Sequence, residues 1–188
     1  MNVENSEDEV PTLTVGKSKV EEWFRRIDNY ELIRSLKAGG MGEVFVARHH
    51  QFKDRFYAIK VIKAGMVDDK SLARFQNEIL VAGQLKHPNI VYSYDAGRSG
   101  DEPYLVMEYI QGCDFDQLLK DKGKFSVANA CEIIRQTAVG LQYAFEKSGL
   151  THRDIKPANL MLASDDNVKI LDLGLARLRE TSQSMAVT

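Results

Sequence analysis

The chain contains few of the residues that build disulfide frameworks or zinc sites. Its 188 residues include two cysteines and four histidines. Cys113 and Cys131 lie in unlike surroundings, without the Cys-x-x-Cys spacing of metal or redox motifs. His49 and His50 are adjacent, but the other two histidines stand alone, so no zinc-type cluster emerges. A reducing compartment is expected, and a disulfide-stapled secreted domain is disfavoured.

Strong charge of one sign and long apolar runs are also lacking. The formal net charge is −2 and no basic block stands out, which gives no support for nucleic-acid or anionic-membrane binding. No apolar run approaches the roughly 20 residues that span a membrane. The acidic N-terminus lacks the basic end and apolar middle of a signal peptide. We expect a soluble, cytoplasmic protein without a membrane segment.

The composition is that of a chain able to bury a core. Hydrophobic residues make up 44% of it, which fits one domain of ordinary size. Residues 1 to about 18 are acidic and polar, and they are predicted to form a disordered arm. A short helix is predicted over Lys19 to Asn29, either pinning the arm to the domain or serving as a regulatory docking segment. Residues 1–29 are assigned to this arm and helix.

The stretch from His152 to Gly174 holds the densest group of reactive side chains. Asp154, Lys156 and Asn159 lie within six residues, and Asp172 follows a β-type apolar run. Between them, two short apolar runs are joined by Ser-Asp-Asp-Asn, which predicts a β-hairpin. A hairpin brings its ends together, so Asn159 and Asp172 are expected side by side. Such oxygens suit Mg²⁺, which takes one or two carboxylates and completes its shell with water and phosphate.

Upstream, two predicted strands, Tyr30 to Leu36 and Glu43 to Arg48, flank the turn Lys-Ala-Gly-Gly-Met-Gly. Glycine leaves room for a ligand close to the backbone, although a plain tight turn is an equal alternative. A third strand, Phe56 to Ile62, carries Lys60 among apolar residues. That lysine either reaches solvent from an edge strand or has a buried anionic partner.

Helical periodicity is clear in two segments. Ser71 to Leu85 has one apolar face with Glu78 beside it, either as the partner of Lys60 or as a solvated surface residue. The strongest helix runs from Ser126, its expected N-cap, to Lys147, with Gly149 as a stop. Its predicted buried stripe consists of Val127, Cys131, Ile134, Ala138, Leu141 and Phe145.

Three further elements are predicted between these helices. A fourth strand is expected to start within the segment His87 to Val91, and a fifth covers Tyr104 to Tyr109. A short helix over Phe115 to Lys120 would be capped by Asp114.

These motifs together resemble the catalytic domain of protein kinases. HRDIKPAN followed by DLG is similar to the family's H-R-D-x-K-x-x-N and D-F-G, with Leu173 replacing phenylalanine. YAIK is similar to V-A-I-K, and KAGGMGEV is similar to G-x-G-x-x-G-x-V, with Lys37 replacing the first glycine. The resemblance implies a two-lobed α+β fold: an antiparallel sheet with one helix over 30–109, then a hinge and an incomplete helical lobe over 110–188.

The resemblance also implies a role for each polar side chain. An aspartate would accept or orient the proton of the attacking hydroxyl, and a lysine would offset charge on the γ-phosphoryl oxygens. A lysine–glutamate pair would fix the phosphates of ATP. The aspartate is Asp154, the lysine that offsets γ-phosphoryl charge is Lys156, and the lysine–glutamate pair is Lys60 with Glu78. The implied magnesium ligands are Asn159 and Asp172.

The implied cofactors are ATP and Mg²⁺. Glycines would lie over the phosphates, apolar side chains would sandwich the adenine, and hinge backbone would meet its edge. Asp114 would accept hydrogen bonds from the ribose hydroxyls. The implied binding residues are Leu36, Gly39, Gly40, Gly42, Val44, Ala58, Lys60, Met107, Glu108, Ile110, Asp114 and Met161.

The lysine of HRDIK resembles the serine/threonine-specific branch of the family, which implies a protein substrate with a serine or threonine acceptor. Arg153 implies control by phosphorylation of the activation segment, by autophosphorylation among other routes. The candidate acceptors there are Thr181, Ser182, Ser184 and Thr188.

Three functions stay open. The first is a serine/threonine protein kinase whose domain is cut short, because the chain stops at Thr188 without an A-P-E motif. The second is a nucleotide-binding or regulatory module without transfer activity, which Lys37 favours. The third is a kinase acting on small molecules, which the string HRDIKPAN disfavours.

Overall fold

The computed structural model describes residues 25–40, 42–64 and 83–173. Within these ranges, strands β1 to β6 form an antiparallel sheet in the order β1-β2-β3-β4-β6-β5, and β7 to β9 form a second sheet in sequence order. The strands are β1 (Arg26–Ile27), β2 (Tyr30–Gly39), β3 (Gly42–His49), β4 (Phe56–Ile62), β5 (Ser93–Ser99), β6 (Glu102–Glu108), β7 (Gly112–Asp114), β8 (Leu160–Ala163) and β9 (Val168–Ile170). The helices are α1 (Phe115–Lys122), α2 (Val127–Ser148) and a 3₁₀ turn (Pro157–Asn159).

Strand β4 of the six-stranded sheet buries apolar side chains on both of its faces. Tyr57, Ile59 and Val61 pack on one face, in a cluster that also includes residues of β1, β2, β3 and β6. Ala58 and Ile62 pack on the other face, against residues that belong in part to the second sheet. The second face is therefore where the two sheets meet, since successive residues of a strand point to opposite sides.

The predicted helix over Lys19 to Asn29 is wrong at its C-terminal end. Arg26–Ile27 is a strand that pairs with Tyr30 and Glu31 across a tight turn. Ile27 is buried in the sheet core, and Asp28 adopts a positive φ of 47° in the turn. Burial of Ile27 against the sheet outweighs the weak helical preference of a short segment. Residues 19–24 lie outside the described ranges.

The predicted fourth strand is also displaced, because β5 begins only at Ser93. Instead, Ile90 forms an isolated parallel bridge with Ile170. The Val91 amide donates to the Ile170 carbonyl at 3.0 Å, and the Ile170 amide donates to the Asn89 carbonyl at 2.9 Å. Segment 89–91 therefore extends the second sheet before the chain enters the first.

Three predicted helix caps, Ser126, Gly149 and Asp114, are confirmed. The Ser126 hydroxyl accepts from the backbone amide of Asn129 at the start of α2, and Gly149 closes the helix in the left-handed region at φ 67°. Asp114 caps α1 by accepting from the amide of Gln117. Helix α1 extends to Lys122, two residues beyond its predicted end.

The buried face of α2 is not the predicted one. Of the six residues in the predicted stripe, Val127, Ile134 and Phe145 are 81%, 67% and 61% exposed. Leu141 is the stripe residue that packs against the core, as a partly buried side chain. The residues of α2 that are fully buried are Thr137, Gly140 and Ala144.

Close approach explains why small residues face the core. A Cβ atom at Gly140 would lie 2.8 Å from Ile170 Cδ1 and 3.2 Å from the Asn89 carbonyl oxygen. Asn89 is itself fixed, because its side-chain amide donates to the Val168 carbonyl at 2.9 Å and to Gln136 Oε1 at 2.8 Å. The helix thus lies directly on β9 and on the segment that pairs with it.

Replacing Gly140 by leucine is expected to lower the free energy of unfolding by roughly 1–2 kcal/mol, because overpacking costs about 1–3 kcal/mol and improved helix propensity offsets up to about 1 kcal/mol. Ala138→Leu, on the exposed side of the same helix, is expected to stay within about 0.5 kcal/mol of the wild type. Urea unfolding followed by circular dichroism measures both. Equal losses in the two variants would mean that the face containing Ala138 is buried after all.

Candidate active site

The hairpin of β8 and β9 brings its two ends together, as predicted. Its strands pair Leu160 with Ile170, and the next backbone hydrogen bond runs from the Leu171 amide to the Asn159 carbonyl at 2.9 Å. Asp172 follows directly in the chain. Asn159 and Asp172 therefore flank the last hydrogen bond at the open end of the hairpin.

Asp154 and Lys156 lie at the same end. The side-chain amide of Asn159, which is buried, donates to Asp154 Oδ2 at 3.0 Å and to the Asp154 carbonyl at 2.8 Å. Lys156 Nζ lies 2.9 Å from the same Oδ2 atom. Because the NH₂ group of Asn159 is used in this way, its amide oxygen is the atom that can serve a cation.

His152 connects this loop to the hairpin, a role that sequence reasoning missed. The ring is buried; its Nε2 lies 2.7 Å from the Leu171 carbonyl, and the Asp154 amide donates to Nδ1 at 3.3 Å. Nδ1 is thus the acceptor and Nε2 the donor. Arg153 and Asp172, on either side of this bridge, adopt positive φ values of 62° and 57°. Non-glycine residues hold that conformation uncommonly, and such residues cluster at active sites and ligand clamps as well as in turns.

Lys60 reaches the hairpin from the other sheet. Its Nζ lies 2.5 Å from Asp172 Oδ2, and the two side chains are only 11% and 17% exposed. The strand β4 lies between β3 and β6, so the alternative of an edge-strand lysine reaching solvent is wrong. The expected partner Glu78 lies outside the described residues. Sequence reasoning missed the pair with Asp172, because nothing in either local pattern links positions 112 residues apart.

Apolar side chains from both sheets meet beside this ion pair. Val44, Ala58, Met107, Ile110 and Met161 all belong to one cluster, together with Ile62, Val91 and Leu105. We call this cluster the sheet junction. The structure thus brings together five predicted nucleotide-binding residues that are spread over 118 positions of the sequence, from residue 44 to residue 161.

Among the glycines of the glycine-rich turn, packing requires glycine at Gly42 and not at Gly39 or Gly40. A Cβ atom at Gly42 would lie 2.0 Å from the Val61 carbonyl oxygen, so packing against β4 alone requires glycine there. At Gly40 a Cβ would meet nothing within 4 Å, and at Gly39 only the Gly42 carbonyl at 3.9 Å. The turn is therefore open where a ligand would approach. Leu36, just before it, is exposed, and Met41 lies outside the described residues.

A second cross-sheet ion pair lies where the chain passes between the sheets. Lys169 Nζ donates to both carboxylate oxygens of Glu108, at 2.9 and 3.0 Å. The Tyr92 backbone amide donates to Glu108 Oε2 at 3.2 Å. Glu108 was predicted as a binding residue through its backbone, and its side chain holds the two sheets together here.

Asp114 has partners on both carboxylate oxygens. Oδ1 accepts from the Gln117 amide at 2.8 Å, and Oδ2 accepts from Lys37 Nζ at 2.9 Å. Burial acts to raise the pKa of this carboxyl, but the hydrogen bonds from Lys37 and Gln117 outweigh it, and the pKa of Asp114 lies below its ordinary value. The cap was predicted; the contact with Lys37 was not.

The donor set at the hairpin end fits a hard cation. One carboxylate, Asp172, and one amide oxygen, Asn159, match the ligands of Mg²⁺, which keeps water and phosphate as its other ligands. Among residues 25–40, 42–64 and 83–173 there is no group of three or more histidine, cysteine, aspartate or glutamate side chains able to hold a metal. In the same part of the chain, no helix is both long and apolar enough to cross a bilayer.

Comparison with known proteins agrees with this geometry. The family model described as protein kinase domain matches residues 30–188. The serine/threonine-protein kinase PknB of Mycolicibacterium smegmatis is 38% identical over 167 residues, covering 86% of this chain and 26% of that protein. PknB of Mycobacterium leprae is 37% identical over 166 residues, with the same coverage of 86% and 26%. The chain thus spans about a quarter of the length of these curated relatives.

A solved structure shows the same fold. The crystal structure of the Mycobacterium tuberculosis PknI kinase domain matches with a TM-score of 0.71 at 33% identity, covering 79% of this chain and 59% of that chain. The six-stranded sheet corresponds to the N-terminal lobe of a two-lobed α+β fold, and the second sheet with α1 and α2 to an incomplete C-terminal lobe. By sequence and by fold, this chain belongs to the protein kinase family.

Proposed function

We propose that this protein transfers the γ-phosphoryl group of ATP, in the presence of Mg²⁺, to serine or threonine hydroxyls of protein substrates. The observation that carries the proposal is the meeting of Lys60, from one sheet, with Asp172, at the open end of the hairpin that also holds Asn159 and Asp154. The serine/threonine specificity is supported by the printed names of the relatives and by Lys156, two residues after Asp154.

The ion pair of Lys60 and Asp172 can exchange partners without leaving either charge unpaired. Asp172 and Asn159 would hold Mg²⁺, which would neutralise phosphate charge when bound. Lys60 would then leave Asp172 for phosphate oxygens of the nucleotide. Such an exchange matters, because an unpaired charge in a site as enclosed as this one costs several kcal/mol.

Asp154 and Lys156 would act on the transferred group. Asp154 would accept or orient the proton of the acceptor hydroxyl, and Asn159 and Lys156 hold its Oδ2 atom in place. Lys156 is exposed enough to move toward the γ-phosphoryl oxygens and offset charge there. In phosphoryl transfer, positioning and charge stabilisation supply most of the catalysis.

The sheet junction would receive the purine. Val44 and Ala58 would cover one face of the ring and Met161 the other, with Met107 at the rear. The backbone of Glu108 and Ile110 would meet the polar edge of the base, and Leu36 would lie at the entrance. The open backbone at Gly39 and Gly40, where a Cβ would meet almost nothing, would admit the phosphates, with Gly42 fixing the turn.

A second candidate function is nucleotide binding without transfer. The observation that favours it is the contact of Lys37 with Asp114, since Asp114 is a proposed ribose acceptor. If Lys37 keeps Asp114 from the ribose hydroxyls, the site binds nucleotide weakly, and the protein acts as a regulatory module. Transfer assays, below, separate this candidate from the first.

Saturating Mg·ATP is expected to raise the thermal unfolding midpoint, and Asp172→Asn is expected to abolish the magnesium-dependent part of the rise. At a hundredfold excess over the dissociation constant, the stabilisation should be about 2.7 kcal/mol. Differential scanning fluorimetry with and without EDTA measures it. The matched control is Asp165→Asn, in the turn at the opposite end of the same hairpin, which should respond like the wild type. A magnesium-dependent rise that persists in Asp172→Asn would place the cation elsewhere.

Asp154→Asn is expected to lower kcat for phosphoryl transfer by roughly 10²–10³-fold, which corresponds to losing one fixed charge-stabilising group. The affinity for Mg·ATP should change little, since Asp154 is assigned to the acceptor hydroxyl. Transfer of labelled γ-phosphate to a generic serine- and threonine-containing protein substrate provides the measurement. Asp121→Asn, on the exposed surface of α1, serves as control. Wild-type protein that binds Mg·ATP without transferring phosphate would favour the second candidate.

A further inference from the structure

A third ion pair joins the two sheets next to the glycine-rich turn. Lys37 lies in β2, two residues before Gly39, which ends that strand. Its Nζ is 2.9 Å from Asp114 Oδ2, 77 residues away in the sequence. The two side chains are 53% and 20% exposed. This contact is therefore the most solvent-accessible of the three lysine–carboxylate pairs described between the sheets.

The Asp114 side of the contact is rigid. Asp114 is paired with Met161 in the second sheet, and Met161 packs into the sheet junction. Its other carboxylate oxygen accepts from the Gln117 amide and caps α1. The carboxylate is consequently fixed beside the junction, while Lys37 reaches it on a flexible four-carbon stem from the opposite sheet.

We propose that Lys37 is a specificity-determining residue of the nucleotide site, which withholds Asp114 from the sugar of the bound nucleotide. An ammonium and a hydroxyl both form charge-assisted hydrogen bonds to a carboxylate, but only the ammonium adds the Coulombic attraction of a full positive charge. Ribose hydroxyls that approach Asp114 must therefore displace or share a better donor. The site then binds a purine nucleoside triphosphate with little dependence on its ribose hydroxyls. This inference rests on the proposed nucleotide-binding function.

The size of the effect follows from the exposure of the pair. Ion pairs as accessible as this one contribute little, because water and salt screen them. Lys37 is therefore expected to weaken binding of a ribonucleotide by about two- to fivefold rather than to block the site, as the median energy of surface ion pairs implies. Lys37→Met removes the charge and keeps most of the apolar stem.

The test compares Mg·ATP with Mg·2′,3′-dideoxy-ATP, which lacks both ribose hydroxyls, by isothermal titration calorimetry on the intact protein. The wild type should bind the two within about twofold of each other. Lys37→Met should bind ATP about two- to fivefold more tightly and leave dideoxy-ATP unchanged. Adding Asp114→Asn, which retains a good N-cap, should return the two affinities to near equality. Arg135→Met, which breaks the exposed pair with Glu132 on α2, is the matched control and should change neither.

Three outcomes would overturn the inference. Weaker ATP binding by Lys37→Met would mean that Lys37 contacts the nucleotide directly. A strong preference of the wild type for ATP, unchanged in Lys37→Met, would mean that Asp114 is already available to the ribose. Failure of every variant to bind Mg·ATP would overturn the proposed function as well.

A measurement without nucleotide separates the ion pair from the proposed function. Carbon-13 NMR titration of the Asp114 carboxyl should show its pKa moving up toward the ordinary range in Lys37→Met, because a lowering hydrogen bond is lost. The pKa should remain low in Arg135→Met. An Asp114 pKa that is identical in the wild type and in Lys37→Met would overturn the inference and leave the proposed function intact.

Discussion

The ion pair of Lys60 and Asp172 is the interaction on which the site depends. Both charges are largely removed from water. Their mutual attraction offsets the free-energy penalty of desolvation only if the two groups are held tightly together. Lys60 is held because its strand is hydrogen-bonded on both sides, opposite Val44 and Leu105. Asp172 is held by the end of the hairpin and by the His152 bridge. The pair therefore fixes the distance between the two sheets at the point where phosphate chemistry is proposed.

Two further lysine–carboxylate contacts span the sheets, and their burial differs in a useful way. Lys169 with Glu108 is largely buried and bidentate on the carboxylate, so breaking it would leave a costly unpaired charge. The pair of Lys37 and Asp114 is accessible to solvent, so breaking it costs little free energy. Of these two contacts, the pair of Lys169 and Glu108 is therefore the harder to open, and the pair of Lys37 and Asp114 beside the glycine-rich turn is the easier. Cross-sheet charges are balanced before any ligand binds.

The local parts of this structure could be predicted from the sequence, and the relations between distant parts could not. The hairpin of β8 and β9, the sidedness of β4 and the caps Ser126 and Asp114 follow from short patterns of apolar, turn and capping residues. Helix α2 has apolar residues on two sides, and periodicity favoured the side with larger ones. The face of α2 that is buried carries small residues instead, because the helix packs so closely on Ile170 and Asn89 that only small residues fit. The partner of Lys60 and the contact of Lys37 likewise depend on how the sheets meet.

The substitution of glycine by Lys37 shows how a motif can change its charge without changing its fold. Lys37 lies in β2 directly after a register shift, is paired with Val44, and has a φ that is not among the positive values that favour glycine. The fold requires glycine at position 42, because a Cβ atom there would collide with the backbone of Val61. A side chain at position 37 therefore costs the sheet nothing, and its consequence is electrostatic: it adds one cation within reach of a fixed carboxylate. Leu173, which replaces the phenylalanine of D-F-G, is buried in the core. Lys37 lies on the side where the nucleotide is proposed to enter, so nucleotide selection is the property that the substitution at position 37 can alter.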